Sequence, residues 1–549
     1  MCLMRKWFKK MALYPLLCML LITGCGSQGE GSVTAVGASS GGSTSQANQL
    51  TIGITNPPLM FNPIDSDGSG SSGAVFTYRY FFDSLIKTTG PLQFDLQLAE
   101  SFDTEDNQTF KIAIHPDANW TDGEPITAED VEFTINLIAN PNTITTQRSA
   151  IFSLDGLNEK GMLPEGTDKL ESIKVIDDKH LELRTKTPVD PNLVYERFSD
   201  VLIVPKHVLS DVNPAELNQH PFWRSPNVTS GPYSFVKYEN KSYVELAANP
   251  DYYRGEPKIE KIFIKIMPAA NMVAQLKSGE LNMNAAQGVG NIPATEWSTV
   301  KSIDGLKTLE EQTRRYNSIE INTERFPDKK VRQALAYAID RQMIVDQLMP
   351  GTGELQDGPY SNSHPYHDEN ILKYSYDPEL AKQMLAEAGF DMNTPIELIV
   401  PTGDRTREMA GNIIQQNFQA IGLKVNQVNF DFPTTVSKLV SGDFDLALSS
   451  FGSIIDPDGP ATVYRSTAAL NDMRYNNPDV DKLFDAGMAE TDPEKRSEIY
   501  DKLQNIIQED VPLITVYSEY NLVAIGEDIN GKGGVVDGMH YDVNTWERR

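Results

Sequence analysis

Alternating apolar and polar positions predict β-strands along the body of the chain. Residues 50–54 alternate in this way, and Thr109–Ile114 places three large apolar residues on one face. The run "KIEKIFIKI" at 258–266 repeats the pattern, and 423–430 and 444–448 predict two more strands. This period of two is the one that a half-buried strand requires.

Apolar positions at helical spacing, framed by capping residues, predict helices between these strands. The sequence "TAED" at 127–130 resembles a capping box and begins one helix. A single long helix is predicted over 328–349, with Asp328 as N-cap and Pro350 as the stop. Further helices are predicted over 271–277 and after the Asp-Pro pairs at 377–378 and 492–493. Because helices and strands alternate throughout, the chain is predicted to be an α/β protein with mixed sheets.

The N-terminal residues have the two-part pattern of a secretory signal peptide. Residues 1–10 contain four basic side chains and no acid, and an apolar run follows from 11 to 22. The run is shorter than the roughly 20 apolar residues of a transmembrane helix. It ends in "ITGC", which resembles the lipobox of bacterial lipoproteins. The resemblance implies that residues 1–24 are a signal peptide and that Cys25 is lipidated.

A stretch rich in Gly and Ser separates Cys25 from the first predicted strand. Half of the 24 residues from 26 to 49 are Gly or Ser, so the stretch has too little apolar surface to offset the entropy of ordering. A flexible coil of this length spans roughly 27 Å. Residues 25–49 are therefore predicted to be a lipidated cysteine and a disordered tether.

The body of the chain is acidic and contains no cysteine. The formal net charge of the chain is −28, which disfavours contact with nucleic acid and with anionic lipid headgroups. The other two cysteines, Cys2 and Cys18, lie within the predicted signal peptide. No disulfide is expected in the body, which is long enough to bury a large core.

Four sequence blocks carry a family resemblance. They are "ANWTDGEPITAEDVEFT" at 118–134, "SGPYSFVKYENKSYVELAANPDYYRGEPKI" at 230–259, "NSIEINTERFPDKKVRQALAYAIDRQMIV" at 317–345 and "YDPELAKQMLAEAGF" at 376–390. In order and spacing they resemble the extracellular solute-binding lipoproteins of peptide-type ABC importers, the oligopeptide- and dipeptide-binding group. The resemblance covers nearly the whole body.

The resemblance implies a fold and a division of the chain. The fold is α/β, of the periplasmic-binding-protein type II, with mixed sheets, two lobes joined by a hinge, and an extra inserted domain. A ligand lies in the cleft between the lobes, which close by a hinge motion. The implied segments are 50–86 (lobe I, first segment), 87–222 (inserted domain II), 223–316 (lobe I, second segment), 317–505 (lobe II, or domain III) and 506–549 (lobe I, C-terminal segment).

The resemblance also implies two walls of the ligand cleft. One is "SSFGSIIDPD" at 449–458, where an aromatic residue flanks the ligand and the main chain pairs with it as in strand addition. The other is the loop at 65–74. With few fixed charges, these walls are expected to hold an extended peptide through main-chain contacts. The ligand-binding candidates are Ser71, Ser72, Gly73, Ser450, Phe451, Gly452, Ser453 and Asp456.

One departure from the family pattern concerns the α-amino group of the ligand. Well-known oligopeptide and dipeptide binders place an Asp shortly after the aromatic residue, whereas this chain has Ser453 there. Asp456 is a candidate substitute, and the alternative interpretation of Asp456 is a turn carboxylate before Pro457.

The implied function is that of a lipid-anchored extracytoplasmic protein that captures peptides and delivers them to an ABC transporter permease. The expected partners are a peptide ligand, the permease subunits and, through the lipid, the bacterial cell membrane, at the cell surface or in the periplasm. The protein is expected to be a monomer without nucleic-acid partners. The alternatives are a family member for a sugar, nickel or haem complex, a peptide-pheromone receptor, and a secreted hydrolase.

Motifs for catalysis or metal binding are few. From residue 50 onward the sequence contains no GxSxG elbow, no P-loop and no cysteine nucleophile. The candidate metal cluster is "HPYHDE" at 364–369, but Pro365 is incompatible with the helix of an HExxH site. No catalytic residue, cofactor or metal site is predicted.

Overall fold

The computed structural model describes residues 48–64, 72–158, 160–286, 288–452, 455–531, 539–540 and 542–549. The predicted signal peptide, Cys25, most of the predicted tether, Ser71 and Ser453 lie outside the described residues. Within the described ranges, no helix combines the length and the apolar character needed to cross a bilayer.

The strands are distributed along the whole body. In chain order they are β1 (Gln49–Ile54), β2 (Ile86–Gly90), β3 (Gln93–Leu96), β4 (Ala99–Thr104), β5 (Thr109–Ile114), β6 (Ile173–Val175), β7 (His180–Arg184), β8 (Tyr233–Glu239), β9 (Tyr243–Ala248), β10 (Lys261–Ile266), β11 (Met283–Asn284), β12 (Leu306–Gln312), β13 (Arg315–Ile321), β14 (Gly353–Glu354), β15 (Pro395–Pro401), β16 (Lys424–Phe430), β17 (Leu446–Gly452), β18 (Leu513–Gly526), β19 (Ile529–Asn530) and β20 (Glu547–Arg548).

Helices connect most of these strands. They are α1 (Ser72–Tyr78), α2 (Ala128–Ala139), α3 (Arg148–Ile151), α4 (Pro191–Ser199), α5 (Lys206–Leu209), α6 (Ala269–Ser278), α7 (Ala294–Lys301), α8 (Lys329–Tyr337), α9 (Arg341–Leu348), α10 (Pro378–Glu387), α11 (Arg405–Ala420), α12 (Phe432–Ser441), α13 (Ala461–Tyr464), α14 (Pro478–Ala489) and α15 (Pro493–Asp510), with short 3₁₀ turns at Pro214–Gln219, Pro221–Arg224 and Val543–Thr545.

One large mixed sheet is the frame of the protein. Its strand order is β16-β15-β17-β13-β18-β11-β1-β10-β9-β8. We call the part built on β1 and β8–β12 lobe I, and the part built on β13 and β15–β17 lobe II. β1 pairs in parallel with β10 and β11, and β15 in parallel with β16 and β17, whereas β13 and β18 form antiparallel ladders. The predicted α/β class with mixed sheets is confirmed.

Two adjacent stretches of chain connect the lobes. The chain passes from β12 into β13 at residues 313–314, and β18 returns beside it. Residues 513–517 of β18 pair with β13 in lobe II, and residues 520–526 pair with β12 in lobe I. Such a pair of crossings is the kind of element at which a hinge motion occurs. The helix α15 passes through position 505 without a break, so the predicted segment limit at 505/506 falls inside a helix.

A second sheet forms an inserted domain. Within the described residues its strands are arranged antiparallel in the order β4-β5-β7-β6. Its buried residues Phe110 and Leu183 belong to the same hydrophobic cluster as Ile52 of lobe I, whereas Leu398 belongs to a separate cluster in lobe II. The inserted domain and lobe I therefore share one core, and lobe II has a core of its own.

Most elements begin and end close to where the sequence predicts. Asp377 and Asp492 cap α10 and α15 by accepting backbone N–H groups, as the Asp-Pro pattern predicts. The prediction of one helix over 328–349 is wrong, since α8 and α9 are separate helices. The reason is Asp340, which has a non-helical conformation and accepts the N–H of Met343 at 2.9 Å, so that a new helix begins there.

Candidate functional site

A cavity of about 580 Å³ lies beside the two crossing stretches and is lined by both lobes. Ser72 and Arg79, at and just after α1, line it from lobe I. Asn317 of β13, Arg407 of α11 and Ser450 of β17 line it from lobe II. Its volume falls in the range of small-molecule sites, roughly 300–1,000 Å³. This cavity is the candidate binding site.

The C-terminal end of β17 forms part of the lobe II wall. Ser450 and Gly452 line the cavity, but Phe451 between them does not. The Phe451 ring packs in a buried hydrophobic cluster with Tyr316, whose ring centroid is 5.9 Å away. The structure thus differs from the expectation that Phe451 flanks the ligand, because successive side chains of a strand point to opposite faces.

One edge of β17 is open next to the cavity. On one side β17 pairs with β13 over its whole length. On the other side β15 pairs only with Leu446 and Ala447, so residues 449–452 lack a strand partner there among the described residues. In the described part of the chain the buried Ser450 hydroxyl has no hydrogen-bond partner, and no atom would meet a side chain added at Gly452. The edge therefore presents free backbone groups to a ligand.

The beginning of α1 forms part of the opposite wall. The Ser72 hydroxyl lines the cavity and accepts a hydrogen bond from Asn56 Nδ2 at 3.0 Å. Gly73 does not line it, because a Cβ at Gly73 would lie only 1.9 Å from the carbonyl oxygen of Asn56. The structure thus gives Gly73 a role different from the predicted ligand contact: it allows α1 to pack closely on the chain that follows β1.

Asp456 lies outside the cavity lining, in a buried ion network. Its carboxylate oxygens are 2.9 and 3.0 Å from Nη2 of Arg496, whose Nη1 donates to Asp190 at 3.1 Å. Both Asp456 and Arg496 are 0% exposed. The position differs from the predicted ligand contact, because a fully buried carboxylate requires a cation and Arg496 of the protein itself supplies it.

Charged side chains make up much of the polar lining, contrary to the expected few fixed charges. Three ion pairs lie along the cavity, and three further charged groups line it without such a pair. The pairs are Arg79–Asp200 at 2.6 Å, Arg314–Glu196 at 3.4 Å and Arg407–Asp404 at 3.7 Å, and the further groups are Lys87, Arg315 and Glu519. A ligand with ionised groups of either sign therefore finds a partner in this cavity.

Glu196 connects the inserted domain to lobe II at the edge of the cavity. It lies in α4, and its two oxygens accept the backbone N–H groups of Ile455 and Asp456, each at 2.5 Å. Burial raises the pKa of Glu196 to about 7, although Arg314 opposes the shift. These bonds hold Ile455 and Asp456 against α4. The two sides of the cleft are therefore in contact in this structure.

Lys87 approaches the cavity from lobe I above a buried polar cluster. Its Nζ donates to the carbonyl oxygen of His540 at 2.5 Å, and burial lowers its pKa. Burial raises the pKa of nearby Asp83, whose carboxylate accepts hydrogen bonds from Tyr252 at 2.9 Å and Tyr253 at 3.1 Å. The cation of Lys87 is thus held in place by neighbouring groups of lobe I.

Of the two histidines at 364 and 367, His364 accepts the backbone N–H of Tyr366 through its Nδ1 at 3.1 Å. The His364 ring is stacked on Tyr360, with ring centroids 4.5 Å apart, and burial lowers the pKa of His364 to about 4. Across the described ranges, no three or more His, Cys, Asp or Glu side chains are arranged to hold a metal ion.

The charged residues of the cavity were not found from the sequence. They come from separate elements hundreds of residues apart, so no local spacing relates them. One local signal existed, the pair Arg314-Arg315 directly before the sequence block that begins at 317. Two adjacent arginines are unusual in a strongly acidic chain and are a signal for a binding site, and both line the cavity.

Comparison with known proteins identifies the family. Residues 93–472 match the family described as "Bacterial extracellular solute-binding proteins, family 5 Middle". The oligopeptide-binding protein AppA of Bacillus subtilis (strain 168) is 29% identical over 530 residues, which cover 92% of this chain and 93% of AppA.

Solved structures agree with the sequence match. The structure of B. subtilis AppA in complex with a nonapeptide has a TM-score of 0.76 at 27% identity, covering 92% of this chain and 99% of AppA. NikZ from Campylobacter jejuni, in complex with Ni(L-His), shares the fold alone, with a TM-score of 0.74 at 23% identity over 91% of this chain and 99% of NikZ. The two-lobed type II periplasmic-binding-protein fold is confirmed. The chain belongs to the bacterial extracellular solute-binding proteins of family 5, the substrate-binding proteins of peptide-type ABC importers that the four sequence blocks indicate.

Proposed function

We propose that this protein captures peptides in the cavity between its lobes and delivers them to an ABC transporter permease. The observation that carries the proposal is the open edge of β17 at 449–452 within a cavity lined by both lobes. An extended peptide can add to this edge as a strand, with its N–H and C=O groups paired to those of β17. Its side chains then enter a cavity large enough to accept varied groups.

Two further observations support a peptide as the ligand. The relative that matches over 92% of this chain is an oligopeptide-binding protein, and its solved complex contains a nonapeptide. The charges of both signs in the cavity fit the ionised ends and side chains of peptides. The similarity to an oligopeptide-binding protein also favours a binding protein over an enzyme.

Peptides are expected to raise the Tm of the purified protein, and Gly452→Val is expected to remove about half of that rise or more. A ligand that binds only the folded state at a hundredfold excess over its Kd stabilises it by ~2.7 kcal/mol. No atom of the described residues lies within 4 Å of a Cβ built at Gly452, so the folded protein should accept valine there. The valine side chain would stand at the open edge of β17 and weaken peptide binding at least tenfold. Differential scanning fluorimetry with short synthetic peptides measures both effects.

The control is Ser234→Val, which adds the same side chain in β8, outside the cavity lining, and should leave the peptide effect unchanged. Gly452→Ala should give an intermediate loss. If sugars or nickel or haem complexes raise the Tm and peptides do not, the cargo is not a peptide. If mass spectrometry shows that the peptides are cleaved during incubation, the protein is a hydrolase.

We further propose that Cys25 carries a lipid that anchors the protein to the outer face of the cell membrane. The sequence before it has the signal-peptide pattern, and a Gly- and Ser-rich stretch follows it. Cys25→Ala should therefore move the protein from the membrane fraction to the soluble fraction, as measured by immunoblotting of separated fractions. Cys18→Ala, inside the signal peptide, is the matched control and should leave the protein in the membrane. Retention of the Cys25→Ala protein at the membrane would contradict the proposal.

A further inference from the structure

Glu519 is a charged group of the cavity with no partner. It lies in β18 at the point where this strand crosses from lobe II to lobe I, and it is one of the residues that line the cavity. Its carboxylate makes no hydrogen bond and no ion pair with any residue that the structure describes. In contrast, the three other acids of the cavity, at 196, 200 and 404, are each paired with an arginine.

The surroundings of Glu519 disfavour an unpaired carboxylate. Burial, with a smaller contribution from Asp404, raises the pKa of Glu519 to about 7, although Arg407 and Arg315 oppose the shift. Arg407 is already paired with Asp404, and Arg315 is an exposed residue that makes no ion pair with Glu519. A cation that reached the carboxylate would relieve the cost of leaving a charged group partly buried and unpaired.

The position of Glu519 relates it to the open edge of β17. Ser450 of β17 lies opposite Asn317 of β13, and Asn317 lies opposite Tyr517 of β18, two residues before Glu519. The open edge of β17 faces away from β13, so a ligand strand added there lies three strand spacings, roughly 14 Å, from β18, which about four to five residues of extended chain can span. A ligand held at the edge of β17 can therefore place a cationic group at Glu519.

We propose that Glu519 binds a primary ammonium group of the ligand, either the α-ammonium of a peptide or the ammonium of a lysine side chain. The proposal rests on the proposed function. An ammonium is a compact cation with three donors on a flexible stem, whereas the guanidinium of arginine is a larger planar group. Because the ammonium stabilises the ionised carboxylate, its binding near neutral pH displaces a proton from Glu519.

The experiment compares amine preference in the wild-type protein and in Glu519→Gln. The probe is a synthetic peptide library made in matched forms: with free amines, with the N-terminus acetylated, with lysine replaced by norleucine, and with both changes. Retained peptides are quantified by mass spectrometry. The wild type should retain free-amine peptides at least tenfold better than the doubly blocked form, and the two singly changed forms show which amine is bound. Glu519→Gln should reduce this preference to less than twofold without weakening the doubly blocked form.

Proton release gives a second readout that a purely structural role would not change. Calorimetric titration at pH 6.5 in two buffers of different ionisation enthalpy should show proton release from the wild type and none from Glu519→Gln. Glu310→Gln is the control, because Glu310 is bonded to Trp297 and Lys301 outside the cavity lining. It should leave both the preference and the proton release unchanged.

Two results would overturn the assignment of Glu519. The first is an amine preference that Glu519→Gln leaves intact, and the second is an equal loss of free and blocked peptides, which would mean that Glu519 acts through Arg315 or through the strand. If the wild type retains no peptide in any form, the proposed function fails and the assignment fails with it. Retention without amine preference removes only the assignment.

Discussion

Replacing Arg496 with methionine is expected to lower the free energy of unfolding by about 3–5 kcal/mol. Arg496 is fully buried, and its guanidinium contacts both Asp190 and Asp456 at 2.9–3.1 Å. Its Nε also donates to the carbonyl oxygen of Gly487 at 2.9 Å. Removal of the cation leaves two buried carboxylates without a counter-charge, and these groups belong to the inserted domain and to lobe II. The effect should therefore appear as a lower denaturation midpoint in urea for the whole protein.

Two comparison variants make this result specific. Lys482→Met removes one partner of a solvent-exposed ion pair with Asp479 and should change the stability by less than about 0.5 kcal/mol. Adding Asp190→Asn and Asp456→Asn to Arg496→Met should recover part of the loss, because the buried charges are then gone. A loss below about 1 kcal/mol for Arg496→Met would show that the network does not stabilise the fold.

Glu320→Gln is expected to stabilise the protein increasingly as the pH rises from 5 to 8. Glu320 is buried in β13, where one oxygen accepts a hydrogen bond from Ser449 and the other has no partner in the described residues. Burial raises its pKa from 4.5 to about 8, and Asp472 adds to the shift. Glutamine keeps the shape of the protonated acid and has no charge to bury.

The sign of this effect follows from proton linkage. Between pH 4.5 and 8 the folded state binds the proton of Glu320 more tightly than the unfolded state, so the free energy of unfolding falls as the pH rises. The difference between Glu320→Gln and the wild type should therefore grow by ~3 kcal/mol from pH 5 to pH 8. Urea denaturation at several pH values measures it. The same change at the exposed Glu387 of α10 is the control, and a difference for Glu320→Gln that does not vary with pH would contradict the prediction.

The elements that the sequence predicted well are those whose signals are local. The alternation at Thr109–Ile114 and the Asp-Pro caps at 377 and 492 act within a few residues, and the structure shows each as predicted. The division of 328–349 into α8 and α9 was not predictable from periodicity, because both parts keep apolar residues at helical spacing. The break depends on Asp340, whose N–H donates to the side chain of Asn417, 77 residues away in the sequence.

The candidate site was predictable only in part. Ser72, Ser450 and Gly452 line the cavity, and they were named because a family resemblance located the two walls. The resemblance gives the position of a segment but not the direction of each side chain, and Phe451 and Asp456, which it implies as ligand contacts, are buried and outside the cavity lining in this structure. Glu519 belongs to a strand that crosses the protein, and only the assembled sheet brings it to the cavity.

The path of β18 between the lobes also sets an order in which the two cores can be completed. The large-sheet strands of lobe II all lie between residues 315 and 517, so that lobe is complete in the chain before lobe I is. Lobe I requires residues 520–526 to pair with β12, and Arg548 to donate to the carbonyl oxygen of Gln49 at 3.3 Å, 499 residues away. The chain is synthesised from its N-terminus, so the lobe I strands that come first have uncovered edges until synthesis is nearly finished. Uncovered strand edges pair readily with other chains, so this interval is when unwanted pairing is most favoured.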